Sequence, residues 1–158
     1  MAYNGSFLWV AATAADQTTY EGTGRLKTIG GTVYLSFPMR LLARKGYSID
    51  PNAREEIKAY RDTNTRELHR VTAEGTKTSM TLKFLGGLHN AQKQEADGWF
   101  TAHESIALER KVPLLYYDPD SDTYKTGNFY RANPHYEVIS ATDTDIIWDA
   151  FEYSLAEY

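Results

Sequence analysis

Polar and apolar residues alternate along much of this chain with a period of two, the pattern of strands that bury one face. The clearest run is "TKTSMTLKFL" (Thr76–Leu85), where Met80, Leu82 and Phe84 share a face and threonines are frequent around them. Before it, "EIKAYRD" (Glu56–Asp62) and "ELHRVTA" (Glu67–Ala73) flank the polar tip "TNTR" and predict a β-hairpin. With the strand that follows, they predict an antiparallel meander. "RLKTIGGTVYLSF" (Arg25–Phe37) predicts a second hairpin, whose Gly30-Gly31 pair supplies the positive φ of a tight turn. "SFLWVAA" (Ser6–Ala12) is a short apolar strand, whereas "ATAADQTTYEGTGR" (Ala12–Arg25) is small, polar and glycine-rich and reads as a mobile loop. From Val112 onward, "VPLLYYD", "TYKTGNFYR", "HYEVISA" and "IIWDAFEYSL" are strand-like to the end.

A helical period stands out once. In "NAQKQEADGWFTAHESIALER" (Asn90–Arg110), Ala96, Trp99, His103, Ile106 and Arg110 follow the spacing of one helical face. Asn90 is the expected N-cap, Gly98 is expected to let the helix pack closely on a sheet, and Pro113 stops it. The fold class predicted is mainly β with one α-helix, at about 90–110. No repeat, low-complexity tract or linker divides the chain, and its 158 residues suit one domain.

Composition narrows function by exclusion. At 42% apolar and 24% charged the chain has ordinary globular values, and no run approaches the roughly 18 apolar residues of a membrane span. The first residues lack the basic start and apolar core of a secretory signal. Without cysteine there is no disulfide framework, thiol nucleophile or cysteine-ligated zinc. That fits the cytosol, and equally a particle assembled there and later released. The net charge of −4 argues against a nucleic-acid binder. Residues 1–80 carry 11 Lys/Arg against 8 Asp/Glu, and residues 81–158 carry 6 against 13. That asymmetry either marks two solvated faces or lets one copy's basic half meet another's acidic half.

Candidate chemistry is sparse. Asp118, Asp120 and Asp122 in "YYDPDSDTYKTGNFY" (Tyr116–Tyr130) match the first three ligand positions of an EF-hand loop, but Thr123 and Phe129 stand where Gly and Glu are needed. Asp-Pro and Ser-Asp favour a turn, so the stretch reads as a solvated hairpin tip. His69, His89, His103 and His135 form no metal-ligand spacing, and His69 and His103 are expected to be packing residues. No G-x-S-x-G, complete G-x-G-x-x-G or Walker sequence occurs. Among 21 acids a facing pair is possible, but none is singled out. No catalytic, cofactor-binding or metal residue is therefore assigned. The twelve tyrosines suit cross-strand pairs, interface anchors or a sugar-stacking surface.

Three segments carry a family resemblance: "IDPNAREEIKAYRDTNTRELHRV" (Ile49–Val71), "LLYYDPDSDTYKTGNFYRANPHYEV" (Leu114–Val138) and "IIWDAFEYSLAEY" (Ile146–Tyr158). Together they resemble small tail or baseplate-region proteins encoded by phages and prophages of Gram-positive bacteria. The likeness covers roughly residues 45–158. It implies a non-enzymatic β-sandwich with a flanking helix, similar to tail-tube and distal-tail proteins and assembled in a hexameric ring. It also implies other tail or baseplate proteins as partners, DNA only as passing cargo, no membrane and no cofactor. The implied location is the virion, after assembly in the host cytoplasm. Residues 1–45 fall outside the likeness and are expected to be a loop-rich docking region, with the β-sandwich core in 46–158. On this reading Arg61, Asp62, His69 and Arg70 fix register with the next subunit, and Tyr116, Tyr124 and Tyr130 belong to an assembly-forming sheet. The alternative is a carbohydrate- or receptor-binding β-sandwich of the same particle; a small hydrolase with unrecognised carboxylates is a third reading.

Overall fold

The computed structural model describes residues 3–53 and 76–158, together with the backbone of residues 56–61 and 68–72. The chain begins with β1 (Leu8–Ala11), the short helix α1 (Ala14–Thr19), β2 (Leu26–Ile29), β3 (Thr32–Ser36) and β4 (Leu42–Ala53). Then come β5 (Glu56–Arg61), β6 (Leu68–Thr72), β7 (Lys77–Phe84), β8 (Leu88–His89) and the helix α2 (Asn90–Thr101). The last five strands are β9 (Lys111–Asp118), β10 (Thr123–Arg131), β11 (Val138–Ala141), β12 (Ile146–Trp148) and β13 (Glu152–Glu157). Eight of the strands make one curled antiparallel sheet in the order β2-β3-β1-β9-β10-β13-β7-β4. A three-stranded sheet, β11-β12-β8, and the separate pair β5-β6 complete the architecture. The fold is mainly β, as the alternation predicts, and sandwich-like, as the family resemblance implies.

Pleating explains the core. Thr78, Met80, Leu82 and Phe84 of β7 are all buried, at every second position. Val112, Leu114 and Tyr116 of β9 and Tyr153 and Leu155 of β13 join them on the same side. On that side α2 buries Ala96, Trp99 and Phe100. Phe37 meets Trp99 edge-on at 5.1 Å between ring centroids, and Phe84 meets Tyr153 at 4.9 Å, geometries that aromatic quadrupoles favour. Trp99 Nε1 donates to the Ser36 carbonyl at 3.1 Å, so the buried indole is satisfied.

The structure differs from several sequence expectations for tertiary reasons. The expected meander is a nested pair instead: β7 pairs with β4 and with β13, and β5-β6 sits within the β4–β7 connection. The loop expected at 12–25 contains α1. There Asp16 N–H donates to Thr13 Oγ1 and Thr13 N–H to Asp16 Oδ2, a reciprocal capping box. The expected helix to Arg110 stops at Thr101. Ser105 N–H then donates to the Lys111 carbonyl and Ile106 bridges to Lys111, turning the chain back into β9. His89, not Asn90, is the N-cap; Asn90 Oδ1 accepts from Trp148 Nε1. A Cβ added at Gly98 would meet nothing within 4 Å, so this glycine serves no close approach. The closing run splits at Asp149-Ala150, β12 joining the small sheet and β13 the large one. Residues 1–45, expected to be loop-rich, supply three sheet strands and the buried Leu8, Val10, Leu35, Phe37 and Leu41.

Candidate functional site

The acidic hairpin is built by β9 and β10, paired from Lys111↔Tyr130 to Thr123↔Asp118. Alternation places Asp118 inward like Val112, Leu114 and Tyr116, and its side chain is completely buried. This corrects the solvated-tip expectation for that residue; Asp120 and Asp122 are exposed, as expected. Lys125 Nζ lies 2.8 Å from Asp118 Oδ2, Ser121 Oγ donates at 2.9 Å and the Asp120 N–H at 3.1 Å. Asn52 Nδ2 reaches both Asp118 oxygens at 3.2 Å from across the β4 edge. Burial by itself would raise this carboxyl, but the Lys125 ammonium, Asn52, Ser121 and the Asp120 N–H together hold it down at about 2. The cation that answers the acidic turn is therefore the chain's own Lys125. Among the described residues, no three His, Asp or Glu side chains come together to hold a metal ion.

The other polar side chains tie elements to each other. His103 Nδ1 lies 2.7 Å from the Trp99 carbonyl and Nε2 lies 2.5 Å from Asp16 Oδ2, clamping α1 onto the end of α2. Burial opposes ionisation of Asp16, yet the Thr13 N–H and His103 outweigh it and lower its carboxyl. His103 is thus a packing residue, as expected, although it lies just beyond the end of α2. His89 pairs with Asp145 and His135 with Glu137 on the surface. Arg131, nearly fully buried, bonds Asp97 at 2.9 Å, its guanidinium 4.6 Å from the Tyr153 ring centre and 5.3 Å from that of Phe100. Glu95 binds both Arg25 and Arg40, joining α2 to the segments flanking the β2-β3 hairpin. Apart from His135–Glu137, two residues apart, none of these pairs stands out in the sequence, because each partner lies 34 or more residues away.

The residues predicted to meet a neighbouring subunit are scattered. Tyr116 is 2% exposed, packed edge-on against Phe129 at 5.3 Å, and offers nothing to a partner. Tyr124 is half-buried; its hydroxyl donates to the Ser6 carbonyl at 2.5 Å and accepts the Asn4 N–H. Tyr130 shares the outer face of β10 with Tyr124, opposite to Tyr116, and is 43% exposed and edge-on to Tyr158. Arg61, His69 and Arg70 lie on the β5-β6 pair, with Arg61 opposite Leu68, His69 opposite Tyr60 and Arg70 opposite Ala59. Asp62 lies outside the described residues. Ala53 pairs with Lys77 and Glu56 with Thr72, so along the chain β5-β6 lies between β4 and β7 and forms a separate two-stranded arm.

Two surface features carry no signal in the sequence. One is a groove of about 360 Å³ beside β4, lined by Tyr3, Phe7, Met39, Leu42 and Tyr47 with Lys45 at its rim. Phe7 stacks on Tyr47 there at 5.0 Å. The other is β11, whose four residues are all exposed, Val138 at 52% and Ile139 at 57%. Among the described residues no helix is long and apolar enough to cross a membrane. Residues 20–158 match the model of a family of unknown function (DUF6711), and the chain belongs to that family. No curated protein and no solved structure matches the chain.

Proposed function

We propose that this member of the DUF6711 family is a non-enzymatic building block of a bacteriophage tail or baseplate, joining other copies in a ring. The observation that carries the reading is the β5-β6 arm, which among the described residues pairs with no third strand. A two-stranded ribbon alone in water is marginally stable, and a neighbouring surface stabilises it. The arm gathers Arg61, His69 and Arg70 within a few residues, which suits it to fixing register on a neighbour. The ion pairs elsewhere bind element to element and support an architectural role for the polar side chains. Tyr116 and Tyr124, which a glycan-binding alternative would need at the surface, are turned to internal contacts.

Replacing residues 56–72 with a short flexible link tests the assembly role. The body is expected to keep its circular dichroism spectrum and to lose co-assembly with the products of adjacent genes. Assembly that proceeds equally well without the arm would contradict the reading. Immunogold labelling of induced particles checks the location. Label is expected on tails or baseplates, and complete tails free of label would rule the virion role out.

A further inference from the structure

Among the described residues the large sheet does not close on itself. It ends at β4, and the groove lined by Tyr3, Phe7 and Tyr47 lies alongside that last strand. A terminal strand beside an apolar groove is the arrangement that accepts an added strand, with backbone bonds for affinity and the groove for alternate side chains. Between an irregular stretch at Ala43–Gly46 and Pro51, the run Tyr47–Asp50 pairs in unbroken register with β7. Gly46 makes the irregularity possible, since a Cβ there would sit 2.4 Å from the Lys83 carbonyl oxygen. Arg44 and Lys45, both exposed, stand at the entrance to this run.

The chain itself contains a segment of matching chemistry. β11 is the terminal strand of the small sheet, four residues long and exposed on both faces, with Val138 and Ile139 at its start. Glu137 precedes it and Asp143 follows, so its ends are acidic whichever way it runs, while Asp145 beyond is held by His89. We infer that β11 of one copy adds to the β4 edge of the next, an aliphatic side chain from one of its faces entering the groove and its flanking acids meeting Arg44 and Lys45. Donor and acceptor are different surfaces of the molecule. The contact is therefore heterologous, leaves each end of a pair free, and propagates until a ring closes. The inference rests on the assembly reading only in taking a second copy as occupant; it can hold in a protein that never enters a virion.

Mixing two variants separates this contact from others. Val138→Lys/Ile139→Lys removes the donor, and Arg44→Glu/Lys45→Glu removes charge from the acceptor. The measurement is mass by sedimentation velocity from micromolar to near-millimolar concentration, with circular dichroism confirming fold. Wild type is expected to grow into species larger than dimers, and each variant alone to remain monomeric. Their mixture is expected to stop at a one-to-one dimer, because one intact donor and one intact acceptor remain. Ile139→Lys alone, expected to weaken association at least tenfold, serves if a double variant misfolds. A wild type that stays monomeric throughout, variants that associate like wild type, or a mixture that forms no dimer would each overturn the inference.

Discussion

Asp118 shows how one residue changes meaning between sequence and fold. Its neighbours Pro119, Asp120 and Ser121 mark a turn, and the turn is there; the strand's alternation nevertheless turns this one carboxylate inward. Its folded-state carboxyl is held at about 2 against an ordinary 3.8. A depressed acid contributes stability above its unfolded value and loses it as pH falls through the folded one. Stability is therefore expected to drop between about pH 4 and pH 2, and Asp118→Asn to flatten that slope, as urea titrations at stepped pH would report. At neutral pH Asp118→Ala is expected to cost about 1–3 kcal/mol, because Asn52 and Ser121 lose a charged acceptor while Lys125, partly exposed, regains water. The tyrosines divide likewise. Tyr116→Ala is expected to cost about 3–5 kcal/mol as a core truncation, and Tyr130→Ala within about 1 kcal/mol, both read from denaturant midpoints. Both were expected in an assembly-forming sheet, but the pairing of Tyr116 with Lys125 puts Tyr116 and Tyr130 on opposite faces of it.

Elements were legible wherever a local rule decided them. Gly30 and Gly31 both have positive φ, +59° and +85°, and close β2 onto β3 at Ile29↔Thr32, as a Gly-Gly turn predicts. The α1 capping box was equally local, as Thr13 and Asp16 have the required spacing, but the surrounding small residues and glycines hid it. Element ends were less legible, since α2 stops where the chain must return to β9 and not where a stop signal stands. Two glycines give opposite predictions. Gly98→Ala is expected to stabilise by about 0.5–1 kcal/mol, because the site is helical and open. Gly46→Ala is expected to destabilise and lower the thermal midpoint, since its Cβ would collide with the backbone of β7. Calorimetry on both variants checks the pair, and a stabilised Gly46→Ala would contradict the described packing.

Across the whole molecule, part of the uneven charge is paired within the chain, where Glu95 binds Arg25 and Arg40. Contact between the acidic β11 flanks and the basic β4 edge gives more of it a role between copies. Such exposed contacts are screened, the screening length falling from about 10 Å at 0.1 M salt to about 3 Å at 1 M. Self-association is accordingly expected to weaken several-fold over that range by light scattering; association that strengthens with salt would point to a purely apolar contact. The sequence by itself determined that the chain is mainly β, where most strands lie and which face of β7 is buried, because period-two alternation and turn chemistry act within a few residues. Tertiary structure alone decided the strand order, the nesting of β5-β6 between β4 and β7, the pairing of His103 with Asp16 and the burial of Asp118. Those depend on which segments meet across the fold, and strands of similar alternation do not announce their partners.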